Sequence, residues 1–207
     1  MLLSLAVVAA VTADVLAGGL LTRLDHHLSH LTRDDWGLRY RSWPRRGLRL
    51  LTLFGQRGPI LIVALPFAAW LAWRVRSIEP VARLVVALIL LAGSVYALKY
   101  GIGRSAPPTD GLRVAGGQSF PSGHLANAVL VWGLVAWLAH RYARAVPARL
   151  IAALDVVRFA GPVLVVVGMT LLDYHWLTDF IAGAALGVVL LRLATWPLPA
   201  RRSGART

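Results

Sequence analysis

Apolar residues along this chain fall in long runs separated by short segments rich in arginine, glycine and proline. A helix that crosses a bilayer needs about 20 mostly apolar residues, and six runs qualify, over 3–22, 58–73, 81–98, 122–139, 159–174 and 177–196. They predict an all-α integral membrane bundle of six transmembrane helices. The second and fifth runs are short for a span. The first lacks a basic leader and a small-residue cleavage site, so it reads as a retained helix and not as a signal peptide. Three regions follow: residues 1–80 with two N-terminal spans and an interfacial amphipathic connection, residues 81–196 as a four-helix core, and a basic tail, 197–207, read as disordered.

Composition agrees, since 57% of the 207 residues are hydrophobic while the formal net charge is +13. Apart from Lys99, the basic residues are all arginines at run ends and in connections. Such charge suits anionic lipid head groups, and without a continuous basic stripe nucleic acid is not the expected partner. The absence of cysteine excludes disulfides and thiolate metal sites. The longest connection, "TRLDHHLSHLTRDDWGLRYRSWPRRGLRL", mixes both charge signs with Leu and Trp, as a segment lying along the interface would. His26, His27 and His30 recur there at helical spacing, either as solvated side chains or as a metal cluster that lacks a carboxylate at ligand spacing. Asp14 lies inside the first run, where a carboxylate is a functional candidate unless it serves a local hydrogen bond.

Three polar clusters interrupt the apolar pattern at run ends. In "LKYGIGRSAPP", Lys99 and Arg104 enter a Gly- and Pro-rich turn; alone, this reads as a snorkelling lysine and a stop signal. In "SFPSGH", Ser119 is a candidate cap and Pro121 suits a helix start. Unpaired N–H groups and the helix dipole make such a start an anion site. Gly123 admits close approach to a ligand, the Ser122 hydroxyl adds a donor, and His124 is placed to protonate a leaving group. In "LLDYHWLTDFIAGAALG", His175 and Asp179 are four apart and share a helix face. A carboxylate accepting from one ring nitrogen leaves the other nucleophilic, although such a pair can also merely cap a helix. With six alternating spans, all three clusters reach one membrane face, and the combined inventory fits phosphoryl transfer.

"PSGH" at a span start, preceded by Lys-x4-Arg and followed by His-x3-Asp at the last span, resembles the type 2 phosphatidic acid phosphatase superfamily over roughly residues 81–195. The resemblance implies a membrane lipid phosphatase that works through a phosphohistidine without a metal or other cofactor. His175 would be the nucleophile, Asp179 its orienting carboxylate and His124 the acid, with Lys99, Ser122 and the Gly123 backbone cradling the phosphate. The substrate would be a lipid phosphate monoester or diphosphate of the phosphatidic acid, phosphatidylglycerol phosphate or polyprenyl phosphate class. A phosphotransferase of the same fold and a non-catalytic lipid-phosphate-binding or transport protein are the alternatives.

Two positions depart from the family pattern. Ala106-Pro107 stands where Arg-Pro is expected, and Gly168-Met169 where Ser-Arg is expected. Arg104, two residues before Ala106, is the candidate to replace one lost cation at the phosphate, and an arginine restored at 169 is expected to reach the same phosphate and tighten binding. The distribution of arginines leans toward cytoplasmic termini and an extracytoplasmic site in the cell membrane.

Overall fold

A computed structural model describes residues 1–35, 42–107 and 118–197, with the backbone alone for 29–35 and 42–45. Its helices are α1 (Leu2–Ala17), α2 (Leu20–Asp35), α3 (Ser42–Thr52), α4 (Arg57–Val75), α5 (Glu79–Ile102), α6 (Gly123–Arg141), α7 (Ala148–Leu171) and α8 (Leu177–Ala194). Helices α4 to α8 are each long and apolar enough to cross a membrane. α1 with Leu20–Leu28 passes the same test together across a 77° bend, and counted as one broken span it brings the number to six. The fold is therefore an all-α, multi-pass membrane bundle. The expected 197–207 tail falls, from 198 onward, outside the described residues.

The bend in the first span has a local cause. Gly18 ends α1 in the left-handed region (φ 60°), where a residue without Cβ carries no steric penalty. Asp14 then reaches over the break and accepts from the backbone N–H groups of Leu21 at 3.1 Å and Thr22 at 2.8 Å. This intramembrane carboxylate thus caps α2, satisfying donors that a helix start leaves unpaired.

Helix α6 forms the centre, packed against α4, α5, α7 and α8. Its Leu130, Leu134 and Leu138 are fully buried, whereas Ile62, Ile89, Phe159 and Val163 on the outer helices are exposed. Apolar outer faces are the expected complement of a lipid surround. The small-residue string of α8 lets it approach α6 closely: a Cβ built on Gly183 would lie 2.5 Å from the Ser122 carbonyl oxygen. Any larger residue there would push the α6 start away from α8.

The fifth span begins at Ala148, well before the predicted 159. Asp155 and Arg158, which read as lying outside the membrane, occupy the early turns of α7. There Asp155 pairs with His140 at 2.9 Å and with Arg158 at 3.2 Å, so the helix continues past its apolar stretch. At the same end of the bundle, Arg83 binds Glu79 at 2.8 Å and donates to the Ala194 carbonyl at 2.6 Å, closing the α8 C-terminus.

Candidate active site

Asp179 is the third residue of α8, and its Oδ2 folds back to accept from the Trp176 backbone N–H at 3.0 Å. The same oxygen lies 3.1 Å from His175 Nδ1. A carboxylate can only accept, so in the neutral ring Nδ1 is the donor and Nε2 the nitrogen with the free lone pair. His175 itself precedes the helix. The pair meets because Asp179 turns back toward the N-terminus as a cap, and not because both residues share a helical face as their spacing predicted. Asp179 is fully buried and the His175 side chain is 3% exposed, so thermal wandering of the imidazole is limited.

The start of α6 lies against this pair. Its cap is Ser122, whose Oγ accepts from Leu125 N–H at 3.4 Å, and not the expected Ser119. Ser119 is drawn away by an isolated β-bridge between Ser105 and Gln118, its N–H donating to the Arg104 carbonyl at 2.8 Å. Ser122 N–H donates to the Asp179 carbonyl at 3.0 Å, which joins the two helix starts directly. As a result the His124 and His175 rings lie next to one another, edge to face at 63°, with centroids 6.5 Å apart. A cavity of about 390 Å³ is lined by both rings together with Lys99, Gly123, Asn127 and Arg57. Lys99 reaches it from the last turn of α5 while Nζ donates to the Gln118 carbonyl at 2.7 Å.

Arg104 and Ser122 stand one layer further back. Ser122 is fully buried behind Gly123, and the Arg104 guanidinium faces carboxylates. One of its nitrogens donates to Asp179 Oδ1 at 3.0 Å and the other to Asp25 Oδ2 at 2.8 Å, with the plane over the Trp176 ring at 5.3 Å. The sequence expectation set this side chain on the substrate phosphate. Two buried carboxylates compete for it, because a carboxylate left in the interior without a cation or donors is costly. Asp25, on α2, is 2% exposed. It also accepts from the Thr178 backbone N–H at 3.1 Å and from the Thr178 hydroxyl.

Position 169 explains one of the two missing arginines. Met169 is 1% exposed in the main apolar core. Beside it, a Cβ on Gly168 would lie 2.9 Å from the Leu48 carbonyl and 3.0 Å from Leu51 Cβ. Helix α3 therefore packs tightly on α7 at Gly168, where the family pattern has serine. This counts against the expectation that an arginine at 169 would reach the phosphate. Of the histidine cluster, His26 packs edge-on against Trp176 at 4.8 Å, and the His30 side chain lies outside the described residues. Among the described residues no three metal-ligating side chains gather.

Sequence reasoning passed over Asp25, Thr178, Asn127 and Arg57. Only Asp25 left a trace, as a carboxylate in a basic connection, and its partners lie 79 and 153 residues away in the chain.

No curated protein matches the chain. Among solved structures, the chain resembles the first transmembrane PAP2-type phosphatidylglycerolphosphate phosphatase from Bacillus subtilis, with a TM-score of 0.73 and 22% identity. The superposition covers 93% of this chain and 90% of that one, and at such identity it establishes a shared fold. The model of the PAP2 superfamily matches residues 80–203, the stretch that carries Lys99, His124, His175 and Asp179, and with more than half of its length so matched the chain belongs to the PAP2 superfamily.

Proposed function

We propose that the protein is a membrane phosphatase that hydrolyses a lipid phosphate through a phosphohistidine. The observation that carries this reading is the pair of imidazoles that line one cavity with centroids 6.5 Å apart, one of them held by a buried carboxylate. His175 Nε2 attacks phosphorus, forming the N–P bond while the P–O bond to the lipid breaks. His124 gives its proton to the departing oxygen, so the lipid leaves as an alcohol or, from a diphosphate, as a monophosphate. Asp179 stabilises the positive charge that develops on His175. Water then attacks the phosphohistidine, His124 takes its proton, and the N–P bond breaks to release inorganic phosphate. Lys99 and the amide N–H groups at the α6 start neutralise the phosphate oxygens, and the helix dipole adds to their effect.

The substrate is a phosphate monoester or diphosphate on a lipid. The cavity opens beside Tyr96 and Tyr100, both exposed, and aromatic side chains of this kind favour the head-group level of a bilayer. The similar fold of a phosphatidylglycerolphosphate phosphatase supports the same chemical class. Arginine placement supports an extracytoplasmic site.

The deciding experiment combines phosphate release from a panel of lipid phosphates with a rapid quench. Wild type is expected to carry an acid-labile, base-stable phosphate label, and folded His175→Ala neither label nor turnover. Normal turnover by His175→Ala would overturn the assignment. Appearance of the phosphate on an added lipid or sugar hydroxyl, instead of in water, would make the enzyme a phosphotransferase.

A further inference from the structure

A phosphate beside two imidazoles calls for cationic donors, because charge-assisted hydrogen bonds are roughly twice as strong as neutral ones. The cations expected from the family pattern are mostly missing from the cavity wall. Position 106 is alanine, Met169 is buried in the core, and Arg104 is committed to Asp25 and Asp179. Lys99 remains. A second cation nevertheless lines the cavity: Arg57, the first residue of α4, which precedes the family-matched residues 80–203.

The position of Arg57 is built into the fold. The turn that leads into α4 is fastened to α6 at two successive carbonyls. Trp132 Nε1 donates to the Phe54 carbonyl at 2.9 Å, and Asn127 Nδ2 to the Gly55 carbonyl at 3.1 Å. Both donors are 7% exposed, so each bond is sheltered and would leave a buried polar group unsatisfied if lost. At Gly55 an added Cβ would lie 2.6 Å from the His124 carbonyl oxygen. The missing side chain thus lets the turn rest directly on the backbone of a catalytic histidine. Two residues later the Arg57 guanidinium lies over the Tyr96 ring, 5.6 Å from its centroid. Among the described residues no carboxylate pairs with it. A guanidinium at a cavity of two histidines and a lysine, with no acidic partner among the described residues, is suited by its chemistry to bind an anion.

We propose that Arg57 binds the substrate phosphate, supplying from α4 the guanidinium absent at positions 106 and 169. The residues flanking it, Phe54 and Gly55, are then part of the active site through their grip on α6. The naming of a lipid phosphate as substrate rests on the phosphatase reading above, whereas anion binding by Arg57 does not.

The test uses the full chain purified in detergent and inorganic phosphate as the probe, titrated by calorimetry or phosphorus NMR. Arg57→Ala is expected to weaken phosphate binding by roughly tenfold or more, the scale of one lost charged hydrogen-bonding partner. Arg57→Lys should recover part of that loss. In turnover assays KM for phosphatidic acid and the inhibition constant of phosphate should rise together, with kcat changing less than either. If Arg57→Ala does not fold, Arg57→Gln, which keeps the length of the stem without the charge, is judged by the same titration. Phosphate affinity within about twofold of wild type in a folded variant overturns the proposal, even if KM rises for membrane-embedded substrate, since an interfacial anchor would give that pattern. Wild type that binds no phosphate overturns it as well. Wild type that binds phosphate through Arg57 but releases none from any lipid phosphate upholds the proposal and overturns the phosphatase reading. Turnover indifferent to Arg57 does the reverse.

Discussion

Asp25 holds Arg104 from a helix that lies outside the family-matched residues, its Oδ2 2.8 Å from a guanidinium nitrogen. The other nitrogen of that fork donates to Asp179 Oδ1, opposite the oxygen that orients His175. On the proposed mechanism Arg104 is a positioning residue: it holds the carboxylate that holds His175. Arg104→Lys is expected to lower kcat by roughly tenfold or more while KM moves by less than about threefold, because a single ammonium cannot span two carboxylates. Asp25→Asn should show the same split in milder form. Asp25→Ala leaves the guanidinium half-paired, and breaking a buried pair typically costs about 3–5 kcal/mol, so its thermal midpoint should fall furthest. A rise in KM matched by weaker phosphate inhibition in Arg104→Lys would instead make Arg104 a substrate ligand.

His124 and His175 line the same cavity with ring centroids 6.5 Å apart. If His124 is the acid, its value depends on how much the departing oxygen needs a proton. His124→Ala should therefore lose about 100-fold or more in kcat on an alkyl phosphate, within the usual range for acid catalysis. On an aryl phosphate whose phenolate leaves unaided, the loss should be much smaller. Equal losses on both substrates would assign His124 to phosphate binding and not to proton transfer.

Turnover should survive chelation. In the proposed mechanism Asp179 orients the nucleophile, His124 serves the leaving group, and Lys99 with Arg57 offers cations to the phosphate, so each role falls to a side chain of this chain. Activity after dialysis against excess EDTA should stay near its starting value. Loss of activity that only an added divalent ion restores would overturn the phosphohistidine mechanism.

What could be read in advance depended on distance along the chain. The spans were legible because burial in lipid demands an unbroken apolar length, and the His175–Asp179 pair because its partners lie close in the chain, although the cap that joins them is not the shared helical face that the spacing predicts. The cap at Ser122 was mistaken for Ser119 because a bridge between Ser105 and Gln118 decides it, and such a pairing has no local signature. The direction of Arg104 was illegible for the same reason. A long flexible side chain goes where its partners are, and one of them, Asp25, enters on another helix. Arg57 reads in the sequence as a flanking charge of a span; it lines the cavity with His124 only because Asn127 and Trp132 clamp the turn before it.

Met169→Arg tests whether the missing family arginine can simply be put back. The motif alone says that it can, since the position lies six residues before His175. The structure opposes this, because Met169 is 1% exposed among apolar neighbours and α3 lies tight on Gly168 alongside. An arginine would bury a guanidinium without a partner or force α3 from α7, and overpacking alone costs about 1–3 kcal/mol. The variant is expected to lower the thermal midpoint and to leave phosphate affinity unimproved. Displacement of α3 would also disturb the turn at Phe54 and Gly55, so phosphate binding through Arg57 should weaken further. A stable Met169→Arg protein with tighter phosphate inhibition would show that α3 yields easily, and that the phosphate site keeps an open place for the family's arginine.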